Sequence, residues 1–206
     1  TDTVHYRVHP EMEINLNHHV NLCAGDSVII GSVAQGGTGR LKTYSWQPNY
    51  ELSRPTGPLT YAGPDTTTTY YYASTDDVGC VLRYSVLLEV KGKPSASISF
   101  KDTCAQSVVQ FTNTTDYNKT TPDSISWHFG NIFSSQQNNP SLFIDSGQSI
   151  LVSFYVRSTD GCWDTTSVNF TAWPLPEVNY TLNNSCAFDT TQLLASSTIK
   201  NGTVSH

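Results

Sequence analysis

Short runs of alternating apolar and polar residues, broken by Gly, Pro, Asp and Asn, occupy most of the chain. In "SVIIGSV" and "RYSVLLEV" alternate side chains can face a core while their neighbours face solvent, the period of a half-buried strand. The pattern predicts strands at "MEINL", "SVIIGSV", "KTYSWQP", "TTTYYYAST" and "LRYSVLLEV", and again at "ASISF", "SVVQFTN", "SISWHF", "ILVSFYVRS" and "TTSVNFTAW". "GGTGR" and "DDVG" supply the dihedrals of tight turns. No long amphipathic run predicts a helix. Many short strands separated by turn signals predict an all-β fold built of sandwiches. Trp46 and Trp127 fall in mid-strand and are expected in the core. In "TTYYYAS", Tyr71 is expected on one strand face and Tyr70 and Tyr72 on the other.

The strand pattern repeats. "NLCAGDSVII", "DTCAQSVVQF" and "NSCAFDTTQL" open three copies, and "ASTDDVGCVLRYSV" and "RSTDGCWDTTSV" close two. Cys23 to Cys104 is 81 positions and Cys104 to Cys186 is 82; Trp46 and Trp127 each follow their cysteine by 23. Internal periods of this kind mark tandem arrays. Residues 11–92 and 93–174 are read as two complete repeats. Residues 1–10 are read as the last strand of a preceding repeat, and residues 175–206 as the truncated start of a further one.

The cysteine spacing carries a second expectation. Cys23 to Cys80 is 57 positions and Cys104 to Cys162 is 58, which predicts one disulfide inside each complete repeat, tying two loops at one end of the sandwich. A bridge closing a loop of that length would stabilise a small core by roughly 4 kcal/mol. Cys186 opens the third copy, so its partner is expected about 58 residues further on, beyond His206. A free thiol or an intermolecular bridge is the alternative.

Composition narrows the chemistry. The chain has 206 residues, of which 37% are hydrophobic and 14% charged, with a net charge of −6. It carries no basic stripe with interleaved aromatics, so nucleic acid is not an expected partner. No apolar stretch approaches the ~20 residues that cross a bilayer as a helix. "TDTVHYRVHP" has no leader pattern, so an exported chain would have lost its leader or carry it outside this sequence. No nucleophile elbow, zinc-protease helix or phosphate loop appears, and no catalytic residue, cofactor or metal site is expected. His18 and His19 are strand neighbours pointing to opposite faces. Asp76, Asp77 and Asp160 are read as turn residues, too few carboxylates for calcium. Tyr71, Trp163 and Trp173 are the candidate aromatic contacts for a sugar ring, against the alternative that they pack, Trp173 at the junction in "AWPLPEV".

"SISWHFGN" and the strands around it resemble a PKD domain. That family shows a Trp-Asp-Phe-Gly-Asp-Gly word where this chain has Trp127, His128, Phe129, Gly130 and Asn131, so both acidic positions are changed. "NLCAGDSVIIGSVAQGGTGRLKTYSWQPNYELSRP" resembles the PKD-like, Ig-like repeats of large exported Bacteroidota proteins, common in gliding-motility adhesins and other substrates of type IX secretion. The resemblance implies Ig-like sandwiches in a linear array and an extracellular, cell-surface location, which paired cysteines suit. It implies neighbouring repeats of the same chain as partners, with surface polysaccharide or other envelope proteins beyond them. It also implies O-glycans on Ser or Thr that follows Asp and precedes a small or aliphatic residue or Thr, the context of Thr3, Ser27, Thr66, Ser124, Thr165 and Thr190. The expected role is a non-catalytic stalk or filament of a surface adhesin. The alternative is a set of accessory carbohydrate-binding or spacer modules of a secreted polysaccharide-degrading enzyme or protease.

Overall fold

The structure is a computed structural model and describes residues 2–5, 7–40, 42–183 and 190–199. Every regular element it describes is a strand. The chain divides into two compact units, Thr1–Lys93 and Pro94–His206.

The first unit contains β1 (His19–Cys23), β2 (Val28–Gly31), β3 (Thr43–Gln47), β4 (Leu59–Ala62), β5 (Thr68–Thr75) and β6 (Val81–Lys91). One sheet has the order β1-β6-β5-β3, and a second pairs β2 with β4. Ile30 and Ala62 from the small sheet pack on Trp46, Tyr70, Tyr72, Val86 and Leu88 from the large one. Two sheets enclosing one apolar layer make a sandwich. The layer follows from the strand period, since Tyr70 and Tyr72 point inward and are buried while Tyr71 between them is exposed. Polar tips of the buried aromatics are satisfied by backbone. Trp46 Nε1 donates to the Gly57 carbonyl at 3.0 Å and the Tyr72 hydroxyl to the Ser32 carbonyl at 3.0 Å. Gly36 closes the turn above this core at φ +73°, where a β-carbon would stand 2.0 Å from the Glu11 carbonyl oxygen.

The second unit opens with β7 (Ile98–Ser99), β8 (Thr103–Cys104), β9 (Ser107–Gln110) and β10 (Thr112–Asn113). It continues with β11 (Pro122–Phe129), β12 (Phe133–Ser135), β13 (Ser141–Ile144), β14 (Ser149–Ser158) and β15 (Trp163–Trp173). A five-stranded sheet, β12-β11-β14-β15-β8, faces the pairs β13-β9 and β10-β7. Trp127, Phe129, Phe154 and Phe170 meet Val109, Phe111 and Ile144 in the core. Trp127 lies 4.4 Å from Phe154 between ring centroids, and in the first unit Trp46 lies 4.9 Å from Tyr72, a pair set 81 and 82 residues earlier. Finally β16 (Glu177–Asn183) pairs antiparallel with β17 (Gln192–Thr198).

Equivalent backbone contacts recur along the chain. Glu13 bridges Gln35, Ser95 bridges Asp116, and Glu177 pairs with Thr198, each partner 81 or 82 residues after its counterpart. Asp76 N–H donates to the Cys80 carbonyl as Ser158 N–H does to Cys162, and Gly79 and Gly161 turn each chain at φ +90° and +87°. Ala24 N–H donates to Lys91 O as Ala105 N–H does to Trp173 O. Two sequence expectations change. "MEINL" forms only the single bridge at Glu13, because the ladder against β6 is taken by the later segment His19–Cys23. β4, β8, β12 and β13 form where no strand is expected from the alternation alone.

Candidate functional site

The cysteines depart from expectation. Cys23 and Cys162 are disulfide-bonded, whereas Cys80 and Cys104 are exposed free thiols. Neither within-repeat bridge is formed, and the sheet topology gives the reason. β1 runs parallel to β6 with Cys23 opposite Lys91, the last residue of that strand. Cys80 immediately precedes Val81, the first residue of the same strand. Ten steps of about 3.3 Å separate the two ends by about 33 Å, while a disulfide needs α-carbons about 4–7 Å apart. The second unit repeats this arrangement. β8 runs parallel to β15 with Cys104 opposite Trp173, and Cys162 immediately precedes Trp163. The two described cysteines of each unit therefore sit at opposite ends of its sandwich, not at one end. Cys186 lies outside the described residues.

The turn beside Cys80 is held by one buried carboxylate. Asp76 accepts N–H bonds from Cys80 at 2.9 Å, Thr38 at 3.1 Å and Val78 at 3.2 Å. Burial pushes its pKa up, but these donors, with Gly79, outweigh burial and hold it below the ordinary carboxylate value. Asp77 accepts from the Thr38 hydroxyl. Both carboxylates are thus engaged in turn geometry, and among the described residues no three His, Cys, Asp or Glu side chains are grouped to hold a metal ion. His18 stacks on Tyr84 at 4.2 Å, and His19 meets Glu89 at 2.8 Å. The carboxylate of Glu89 also takes the Lys91 ammonium at 2.6 Å, and bonding from Lys91 first and His19 second lowers its pKa.

The candidate aromatics do not converge. Tyr71 belongs to the first unit and is 60% exposed. Trp163 and Trp173 occupy opposite ends of β15, about 33 Å apart on the same strand-step estimate. Trp173 does not pack away, being 55% exposed. Trp163 has other company. Ser124, Ser126, Gln136, Tyr155 and Arg157 join it around a shallow hollow of about 260 Å³ on the outer face of the five-stranded sheet. The cross-strand register sets Trp163 opposite Arg157 and Tyr155 opposite Ser126. His128 meets Tyr155 edge-on at 5.4 Å and is steadied between the Ser126 and Ser134 hydroxyls. Tyr155 was absent from the sequence expectation, although the alternation in "SFYVRS" turns it outward while Phe154 turns in. The six candidate O-glycan carriers, Thr3, Ser27, Thr66, Ser124, Thr165 and Thr190, are all exposed. Two have engaged hydroxyls, Ser124 with Asp123 and Thr165 with the Phe154 carbonyl. Among the described residues no helix is long and apolar enough to cross a membrane.

The chain matches no protein-family model and no curated protein. Among solved structures it is similar to the PKD1 domain of the Vibrio cholerae metalloprotease PrtV, with 24% identity over 39% of this chain and 96% of that one, TM-score 0.36. The PKD1 domain of Vibrio anguillarum Epp is similar at 25% identity, covering 39% and 93%, TM-score 0.36. Fibronectin(III)-like modules of Clostridium thermocellum CbhA cover 75% of this chain and 89% of theirs at 13% identity, TM-score 0.35.

Proposed function

We propose that this chain is a run of non-catalytic spacer repeats from the stalk or filament of a large extracellular protein, a cell-surface adhesin of the adhesion or gliding-motility kind. The recurring register carries the reading. Glu13 with Gln35, Ser95 with Asp116 and Glu177 with Thr198 are the same pairing at intervals of 81 or 82 residues, which supports a tandem array. The β16–β17 pair supports counting residues 175–206 as a third copy. Leu193 stands where Phe111 and Ile30 stand one and two repeats earlier; those two are 0% and 4% exposed, yet Leu193 is 63% exposed. Val178, Tyr180 and Leu182 are open as well. Such a strand pair, with its apolar side chains open, has the exposure of half a sandwich. Repeats that each hold their own core form arrays that lengthen without redesign. Bacteroidota origin, export by type IX secretion and O-glycans on the exposed Asp-Ser/Thr sites belong to this reading.

The test is the mass of the native protein recovered from intact cells after labelling with a membrane-impermeant reagent. The expected species is labelled and many times heavier than the 22.7 kDa of this chain. An unlabelled species, or one near 22.7 kDa, would overturn the reading.

One observation favours a second reading, accessory carbohydrate-binding modules of a secreted enzyme. The outward Trp163 and Tyr155, flanked by Arg157 and hydroxyl groups, offer a flat apolar surface with polar groups at its rim. In that case the same preparation would carry a catalytic domain in the same polypeptide, and Trp163→Ala would weaken binding to its polysaccharide.

A further inference from the structure

The outer face of the five-stranded sheet sorts its side chains into rows. Ser124, Arg157 and Trp163 lie side by side across β11, β14 and β15, each opposite the next in register. Two residues along, Ser126 lies opposite Tyr155. Alternation turns these side chains outward, while their strand neighbours Trp127, Phe154 and Val156 are buried. Trp163 and Tyr155 are diagonal neighbours across two strands, a relation that spaces them by about 7–8 Å. The hollow they share holds about 260 Å³, less than the roughly 300–1,000 Å³ of sites that enclose a small molecule. It is a shelf for a ligand that lies on a surface.

Arg157 gives the shelf its sign. Its side chain is exposed and forms no ion pair with any described residue, Asp160 of the adjoining turn included. Asp164, beside Trp163, accepts the Ala96 N–H at 2.8 Å, and Asp123 accepts from the Ser124 hydroxyl at 3.3 Å. A guanidinium with free N–H donors is a fork that takes a carboxylate in two parallel bonds. The two aromatic rings offer flat apolar faces, and the Ser124 and Ser126 hydroxyls and the Gln136 amide stand at the rim. One ligand chemistry uses all three together. A pyranose ring lays its C–H face on an aromatic ring, its hydroxyls meet the rim, and the carboxylate of a uronic acid at the ring's edge meets the fork. An acidic peptide would satisfy the guanidinium but brings no flat, hydroxyl-edged face to the rings. The fold does not demand these residues. In the first unit the same three-strand row holds Thr43, Thr75 and Val81, and Ala73 stands two residues along.

We propose that this shelf binds acidic polysaccharide, with a uronic-acid ring on Trp163 and Tyr155 and its carboxylate on Arg157. It rests on the carbohydrate-binding reading above and adds the class of sugar. Ser124 cannot both line an occupied shelf and carry an O-glycan.

The experiment is calorimetric titration of the whole chain with short oligomers of galacturonate and of mannuronate, each beside its carboxyl-reduced neutral form. Polyglutamate supplies carboxylates without sugar rings. The expected result is binding of at least one uronate, about tenfold tighter than its neutral form and weakened by added salt, with polyglutamate weaker still. Trp163→Ala and Arg157→Ala are each expected to weaken the uronate by about tenfold or more. Arg157→Lys keeps the charge without the fork and is expected to recover part of that loss. Trp173→Ala, at the other end of β15, is expected to change nothing. These side chains are exposed, and unchanged thermal unfolding checks that each variant is folded. Equal binding of the neutral oligomers, lost in Trp163→Ala, would overturn the acidic assignment and leave the carbohydrate reading standing. No binding of any oligomer would overturn both. Full affinity in Arg157→Ala, or polyglutamate binding as tight as the uronate, would overturn the uronate site. So would a dimer of the chain that Trp163→Ala dissolves, which would make a second copy the occupant.

Discussion

Equivalent residues in the two units solve the same problem with different chemistry. Trp46 and Trp127 are both buried, as mid-strand aromatics in an alternating pattern should be. The first satisfies its indole N–H on the Gly57 carbonyl; the second has no protein acceptor among the described residues. Trp46→Phe removes a hydrogen bond and strands a carbonyl, while Trp127→Phe removes only a donor. The first substitution is expected to cost more than the second by about 1 kcal/mol in denaturant unfolding of each unit. Asp76 and Ser158 are a second such pair. Asp76 gathers backbone donors onto a carboxylate whose folded pKa lies below its unfolded value. Its contribution is therefore present above the unfolded pKa, near 3.9, and is lost as pH falls through the folded one. The first unit is expected to lose stability on acidification, and Asp76→Asn is expected to flatten that pH dependence while lowering stability at neutral pH. Thermal unfolding of both proteins at a series of pH values checks it.

At the scale of elements, strands with clean alternation were legible and those defined by partners were not. "TTTYYYAST" and "ILVSFYVRS" bury every second residue and became β5 and β14. β1 contains His19 and Asn21 and shows little apolar periodicity; it is a strand because β6 offers it an edge. β4 has only four residues, two of them buried, just after Pro58. Which way β1 runs along β6 depends on the path of the intervening chain, a long-range property that local pattern does not contain. The cysteine error came from this source, because a constant spacing reports the length of the repeat and not the pairing inside it. The outward hollow at Trp163 was half legible, since the tryptophan was visible but the cross-strand company of Tyr155 and Arg157 required the register. Burial also separates the elements dynamically. β16 and β17 are exposed at nearly every position, whereas β14 alternates exposed and buried residues and is paired on both sides. Amide hydrogen exchange is expected to be faster in β16–β17 than in β14 by orders of magnitude.

For the whole molecule, the repeated ladder and the repeated turn describe two self-contained sandwiches whose strands connect a head to a tail. β1 runs beside β6 in the first unit, and β8 beside β15 in the second, each pair in the same direction. That parallel pairing has a mechanical consequence. Tension applied before β1 and after β6 pulls the two strands past each other, so the five registered pairs from His19 with Leu87 to Cys23 with Lys91 bear load together in shear. Antiparallel terminal strands would instead open one bond at a time. The second unit has only two such pairs, Ala172 with Thr103 and Trp173 with Cys104. A pulled chain therefore meets a strong clasp in the first unit and a weaker one in the second, so the second yields first and the first sets the upper limit of force.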